Sequence, residues 1–289
     1  MLERKKVLGV YGAAGSHWVG DGFPVRTVFP SNGVSDLSPF LMLDYAGPMH
    51  FKPSTRPRGV EQHPHRGFET VTIAYQGSVD HRDSAGNSGT INPGDVQWMT
   101  AASGVVHEEM HGKDFTANGG DFEMIQLWVN LPAAYKMSEP RYQGILSEQI
   151  PSVELGPGAF ARVIAGELNG TKGPAKTFTP VNVFDVQLDQ GGRGELALPA
   201  GHNAAIVLLR GDVVVNGSSA LKGAAQIAPL SASGESVLLE ARADSLLLVL
   251  SGEPIKEPVA SYGPFVMNTQ AELRQAFEDY RAGRMGHVH

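Results

Sequence analysis

With 289 residues, the chain is long enough for one large domain or two ordinary ones, and two are favoured. It contains no cysteine, which excludes a disulfide framework, thiolate metal sites and thiol-based redox switching. A formal net charge of −7, with 42% hydrophobic and 18% charged residues, describes a globular chain and argues against general binding to nucleic acid or to anionic membranes.

The opening MLERKKVLGVYGAAG sets Arg4, Lys5 and Lys6 before a mildly apolar run, in the manner of a secretory leader. Gly9, Gly12 and Gly15 break that run, so it reads as a native strand and turn. No stretch approaches the ~18 continuous apolar residues of a membrane span, and a cytoplasmic location is expected. Beyond this start come apolar runs at 70–75, 104–109, 122–130, 181–188, 204–210 and 236–241. They are separated by turn chemistry at Asn92-Pro93-Gly94, Asn118-Gly119-Gly120, Asn169-Gly170 and Asn216-Gly217. Many short strands with frequent turns predict an all-β barrel or sandwich. The exception is 269–283, where Thr269 and Glu272 form a capping box and Gly283 is the stop. Leu273, Ala276, Phe277 and Tyr280 fall on one face of that helix, which is expected to pack on the body through it.

A weak internal repeat divides the chain. Gln76-Gly77-Ser78-Val79 precedes Pro93-Gly94-Asp95-Val96, much as Arg210-Gly211-Asp212-Val213 precedes Lys222-Gly223-Ala224-Ala225. Two similar β-modules meeting near 132–140 are expected, with domains at 1–134 and 135–289.

The chemistry concentrates in the first module. His63-Pro64-His65-Arg66-Gly67-Phe68-Glu69 is followed by His107-Glu108-Glu109. On a strand, residues two apart share a face, so His63 pairs with His65 and His107 with Glu109, while Glu108 points away. If no bulge intervenes at Gly67, the register of His65 runs through Glu69, Val71, Ile73 and Tyr75, and the apolar set Val71, Ile73 and Tyr75 then places the histidines inside the module. Val105 shares the face of His107. Three imidazoles and a carboxylate from adjacent strands suit a borderline divalent metal and leave coordination positions open, as a catalytic site requires. Glu69 has the same parity as Glu109 and rivals it for the carboxylate position. His81 reads as a rim group, His111 as a surface group, and His287-Val288-His289 as a frayed tail. Trp98 and Met99 are expected to pack the interior.

The sequence resembles the pirin family of the cupin superfamily. The resemblance rests on HPHRGFETVT at 63–72 and NPGDVQWMTAASGVVHEEM at 92–110, with LWVNLP at 127–132, MSEPRYQ at 137–143 and EPVASYGPFVMNT at 257–269. It implies two tandem cupin (jelly-roll type) β-barrels with a C-terminal helix, and metal in the N-terminal barrel alone. The ligands it implies are His63, His65, His107 and Glu109, since pirins take the carboxylate at the Glu109 position where other cupins use one like Glu69. One divalent transition metal is expected, Fe(II) first, with Ni, Cu, Mn, Co or Zn as alternatives, and no other cofactor. The activity implied is that of a quercetin 2,3-dioxygenase-like oxygenase opening a flavonol with O2 and releasing CO, with Glu109 as the catalytic base. The alternative is a redox-responsive regulatory protein that binds a transcription factor or metabolic enzyme, with no direct contact to nucleic acid or membrane. In the second half, setting Gly211 on Gly77 puts Ala197 and Pro199 at the histidine-pair positions. Setting Gly223 on Gly94 puts Ser236 at that of His107, so the second barrel is expected to be metal-free.

Overall fold

The computed structural model describes residues 2–288 apart from Asn32 and Ser35. Strands dominate, as the turn spacing predicts. Asn169, Gly170, Asn216 and Gly217 all take positive φ (51°, 81°, 54° and 73°), the left-handed backbone that Asn and Gly tolerate. Contacts divide the chain into two compact units. One, the histidine unit, comprises 15–26, 42–147 and 255–289; the other comprises 1–14, 27–41 and 148–254. This differs from a single boundary at 134/135. The N-terminal run belongs with the second module, where Lys5 is buried and donates to the Ala232 carbonyl (2.9 Å). The C-terminal helix belongs with the first.

The histidine unit is built on β1 (His17–Val19), β2 (Phe23–Phe29), β3 (Phe40–Phe51), β4 (Gly59–His65), β5 (Phe68–Gln76) and β6 (Val79–Asp83), of which only residues 27–29 of β2 and 40–41 of β3 count with the other unit. They continue with β7 (Ser88–Ile91), β8 (Val96–Thr100), β9 (Val105–His111), β10 (Gly120–Asn130) and β11 (Arg141–Ile145), a short helix α1 (Lys113–Asn118) preceding β10. A seven-stranded sheet runs β11-β8-β5-β10-β3-β2-β1, and a four-stranded sheet runs β4-β9-β6-β7. Phe23, Ala46, Ala74, Phe122 and Met124 of the first sheet pack with Val79 and Ile91 of the second, so the two sheets face one another across a core. The arrangement is a jelly roll of two sheets rather than a closed ring of strands.

The corner between the sheets lies at Gly67, whose φ is +89° and where a Cβ would meet the Val266 carbonyl oxygen at 1.9 Å. The chain leaves the small sheet after His65 and enters the large one at Phe68. This overturns the expectation that one register runs from His65 to Tyr75. The face of β5 turned to the site carries Phe68, Thr70 and Thr72, because Phe68 meets the His65 ring and Thr72 donates to Glu109. Val71 and Ile73 are buried on the opposite face, which they share with Glu69.

The C-terminal segment adds β12 (Ala260–Tyr262), β13 (Phe265–Met267) and α2 (Gln270–Arg281). The capping box of Thr269 and Glu272 forms as expected. Leu273, Ala276 and, partly, Phe277 pack with Val106, Phe265 and Met267. Tyr280 does not share this burial; it is 39% exposed. Nor is the tail frayed as far as it is described: Met285 is buried and Val288 packs against the same cluster, while His289 lies outside the described residues. Asp279 of α2 and Arg66 form a bridge at 2.7 Å, and Arg66 Nε donates to the Ser103 carbonyl (2.6 Å).

The second unit has one eight-stranded sheet, whose longest members are Asn203–Val215, Ser219–Leu230 and Ser236–Gly252. The repeat survives in its register. Ala197 pairs with Ser236, as His63 pairs with His107 in the histidine unit. Alanine and serine therefore stand where the first module has imidazoles, and the Ser236 hydroxyl donates to Glu195 instead (2.9 Å).

Candidate metal centre

Strands β4 and β9 are antiparallel neighbours, with His107 directly opposite His63 and Val105 opposite His65. The alternation of strand side chains then turns all three rings to one side. Ring centroids lie 4.2 Å apart for His63–His107 and 4.9 Å apart for both His63–His65 and His65–His107. One ligand nitrogen from each lies within 4.8 Å of the others.

Their hydrogen bonds fix which nitrogen is offered. His63 Nδ1 sits 2.8 Å from the Glu61 carbonyl, and His65 Nδ1 sits 3.3 Å from the Pro264 carbonyl. A carbonyl only accepts, so each Nδ1 carries a proton and Nε2 is the nitrogen each ring has left to offer a metal. His107 Nδ1 is engaged by His81 at 3.4 Å, and its Nε2 is buried with no partner. A buried polar atom without a partner is costly, and a cation is a partner that would satisfy it. Burial pushes His65 down to about 3, helped by the charge His63 would carry, and holds His107 well below the ordinary imidazole value. Both rings are therefore neutral at physiological pH, the state in which an imidazole ligates. The donor set fits a borderline divalent ion.

Glu109 follows on the same strand, past a register shift between it and His107. It is buried, as parity expects, whereas Glu108 points outward to an ion pair with Arg82. Its carboxylate is not within the histidine group. Gln126 Nε2 donates to both of its oxygens (3.2 and 2.9 Å) and Thr72 Oγ1 to Oε1 (3.2 Å). Glu69, the rival carboxylate, accepts from Thr100 Oγ1 (2.7 Å) on the other face of β5, and burial pushes it up to about 7.

Several partners were not anticipated. His81 is not a rim group but fully buried between His107 and Asp83, and its ring stacks on Tyr142 (5.2 Å, 24°). His81-x-Asp83 repeats the i, i+2 spacing of the ligand pairs, a signal present in the sequence. His111 is not on the surface; it lies among Phe23, Phe51, Phe115 and Phe122 and donates to the Gly22 carbonyl (2.8 Å). Trp98 and Met99 are buried packing residues, as expected. Phe68 and Trp128 pack at 4.3 Å with their planes tilted by 35°, and both abut His65. A cavity of about 1340 Å³ is lined by Asp80, His81, Arg82, Glu108, Met110 and His111 among others, but by none of His63, His65 and His107. Among the described residues no helix is long and apolar enough to cross a membrane.

Comparison with known proteins agrees with this architecture. The pirin family profile matches residues 22–129, and the pirin C-terminal cupin domain profile matches 183–286. A Pseudomonas aeruginosa protein named "putative quercetin 2,3-dioxygenase" is 54% identical over 287 residues, covering 99% of this chain and all of that one. Human pirin is 39% identical over 274 residues, covering 92% of this chain and 89% of its own length. A crystal structure named as a quercetin 2,3-dioxygenase from Acinetobacter baumannii superposes with a TM-score of 0.95 at 51% identity, over 99% of both chains. The fold, the histidine constellation and these relatives together establish that the chain belongs to the pirin family.

Proposed function

We propose that His63, His65 and His107 hold one divalent transition-metal ion, Fe(II) in first place, and that the protein is a dioxygenase acting on flavonol-like aromatics with O2, releasing CO. The observation that carries this reading is the convergence of three buried or half-buried imidazoles whose Nδ1 atoms are all engaged elsewhere. The naming of close relatives as quercetin dioxygenases supplies the substrate class. When bound, the ion supplies Lewis-acid polarisation of a substrate hydroxyl and a centre for oxygen chemistry.

The remaining roles fall to the chain. Glu109 is assigned as the fourth ligand and as the base whose carboxylate takes the proton of the flavonol 3-hydroxyl. Gln126 and Thr72 orient that carboxylate through the hydrogen bonds they donate to it. Trp128, half-buried and packed against the buried Phe68, offers an apolar face for a planar aromatic. His65 and His107 are buried and exclude water from their side of the site, so access is by way of the half-buried His63. The test is anaerobic reconstitution with Fe, Ni, Cu, Mn or Co, then admission of O2 with quercetin. Metal-dependent loss of flavonol absorbance with trapped CO supports the assignment; no turnover with any of these metals removes it.

A further inference from the structure

The third ligand has a support of its own. His81 lies opposite Glu109 in the β6–β9 register, and Asp83 lies opposite His107. His81 Nδ1 is 3.4 Å from His107 Nδ1, and His81 Nε2 is 3.4 Å from Asp83 Oδ2, at the long end of hydrogen bonding. Both side chains are sealed from solvent, at 0% and 1% exposure. Asp83 is itself immobilised. Its Oδ1 accepts from the backbone N–H of Ala85 and of Asn87 (2.9 Å each), and Asn87 Nδ2 donates to Oδ2 (3.0 Å). Stacking on Tyr142 fixes the plane of the His81 ring.

Such a chain transmits a choice of tautomer. A carboxylate can only accept, so His81 Nε2 carries the proton that faces Asp83. With the His81 proton on Nε2, its Nδ1 is the nitrogen that accepts from His107 Nδ1–H. His107 Nε2 is thereby left with its lone pair free, and that is the atom found buried without a partner. We propose that Asp83 and His81 are positioning residues that act in series to hold His107 in the metal-ligating tautomer. They set the affinity of the centre without touching the ion. The proposal rests on the reading of the three histidines as ligands, and it assigns a role to two residues that lie outside the ligand set.

Asp83→Asn tests it with the shape preserved. The oxygen of the substituted amide keeps the two backbone N–H groups and the Asn87 side-chain amide turns its oxygen toward the new nitrogen, so that nitrogen replaces Oδ2 and donates to His81 Nε2. His81 must then carry its proton on Nδ1 and donate to His107 Nδ1, which drives the His107 proton onto Nε2. Long-range 1H–15N spectra of metal-free, histidine-labelled protein read this reversal directly. The expected result is His107 protonated at Nδ1 in the wild type and at Nε2 in the variant. Co(II) affinity, measured by competition with a chelator, should fall ~10–100-fold, the usual effect of removing an outer partner of a metal-bound histidine. His81→Phe, which keeps the stacking but cannot accept, should lose affinity similarly. His81→Asn, which returns an acceptor oxygen near the Nδ1 position, should recover most of it. These last two variants also decide the matter if Asp83→Asn does not fold. An unchanged His107 tautomer, or Co(II) affinity within twofold of wild type in both Asp83→Asn and His81→Phe, overturns the proposal. A wild-type protein that binds no Co(II) defeats the metal reading instead, and the tautomer measurement on metal-free protein still decides the relay.

Discussion

Replacing Glu69 by glutamine separates the two candidate carboxylates and has a calculable effect on stability. Glu69 is 1% exposed, and burial raises it from 4.5 to about 7 against the opposing hydrogen bonds from Thr100 and Trp98 and the charge of Arg141. Between those values the native state holds a proton that the unfolded chain has lost, so unfolding free energy falls as pH rises through the window. At about 1.4 kcal/mol per pH unit, the interval corresponds to about 3 kcal/mol lost between pH 4.5 and 7. Glutamine is neutral throughout and can still accept from the Thr100 hydroxyl. Glu69→Gln should therefore match the wild type near pH 4.5 and exceed it by about 2–3 kcal/mol at about pH 8. Urea unfolding of metal-free protein, followed by tryptophan fluorescence at several pH values, measures the difference. Because Glu69 lies across β5 from the histidines, the variant should also bind metal at wild-type stoichiometry. A stability difference that does not change with pH, or a loss of metal equal to that in Glu109→Gln, would refute the reasoning.

Other outcomes follow from the same structure. His65→Ala should lose most bound metal while the unit stays folded, whereas Glu108→Ala, whose side chain pairs with Arg82 on the outer face, should change metal content little; elemental analysis of both variants compares them. Desolvation alone would raise Asp279, but hydrogen bonds from Gln275, Arg66 and Arg284 outweigh it and hold the carboxyl down at about 2. Its contribution is present above pH ~4 and lost as pH falls toward about 2, so Asp279→Asn should cost about 2 kcal/mol at about pH 6 and nothing near pH 2 in urea titrations. Lys136 is buried, donates to the carbonyls of Gly67 and Val266 and to Asn130, and is pushed down to about 8 by desolvation. Wild-type stability should accordingly rise with pH between about 8 and 10.5, and Lys136→Met should remove that rise while costing about 3 kcal/mol at about pH 7 through the acceptors left without a donor.

The clustering of His63, His65 and His107 was legible because two-residue spacing on a strand is a local property, and because β4 and β9 are direct neighbours in the register that spacing implies. The same held for the positions aligned with those histidines in the second unit, where Ala197 and Ser236 do pair across strands. Strand parity breaks at Gly67. One residue at positive φ changes both the sheet and the face, so the apolar set of β5 lies opposite the side expected. What supports these histidines was less legible still. The Pro264 carbonyl that fixes His65 is 199 residues distant, and Asp279, which anchors Arg66, is 213 residues distant. Nothing local in the sequence signals that the C-terminal segment returns to the first module. The burial of His111 likewise depends on phenylalanines from four separate segments.

X-ray absorption spectroscopy on protein loaded with a single Ni(II) or Fe(II) addresses the centre most directly. Three imidazole nitrogens around one ion per chain, with that signal abolished in a protein carrying alanine at positions 63, 65 and 107, is the expected spectrum. Full metal loading in the triple variant, or an ion in the wild type surrounded by oxygen alone, would show that the three rings converge for some purpose other than holding it.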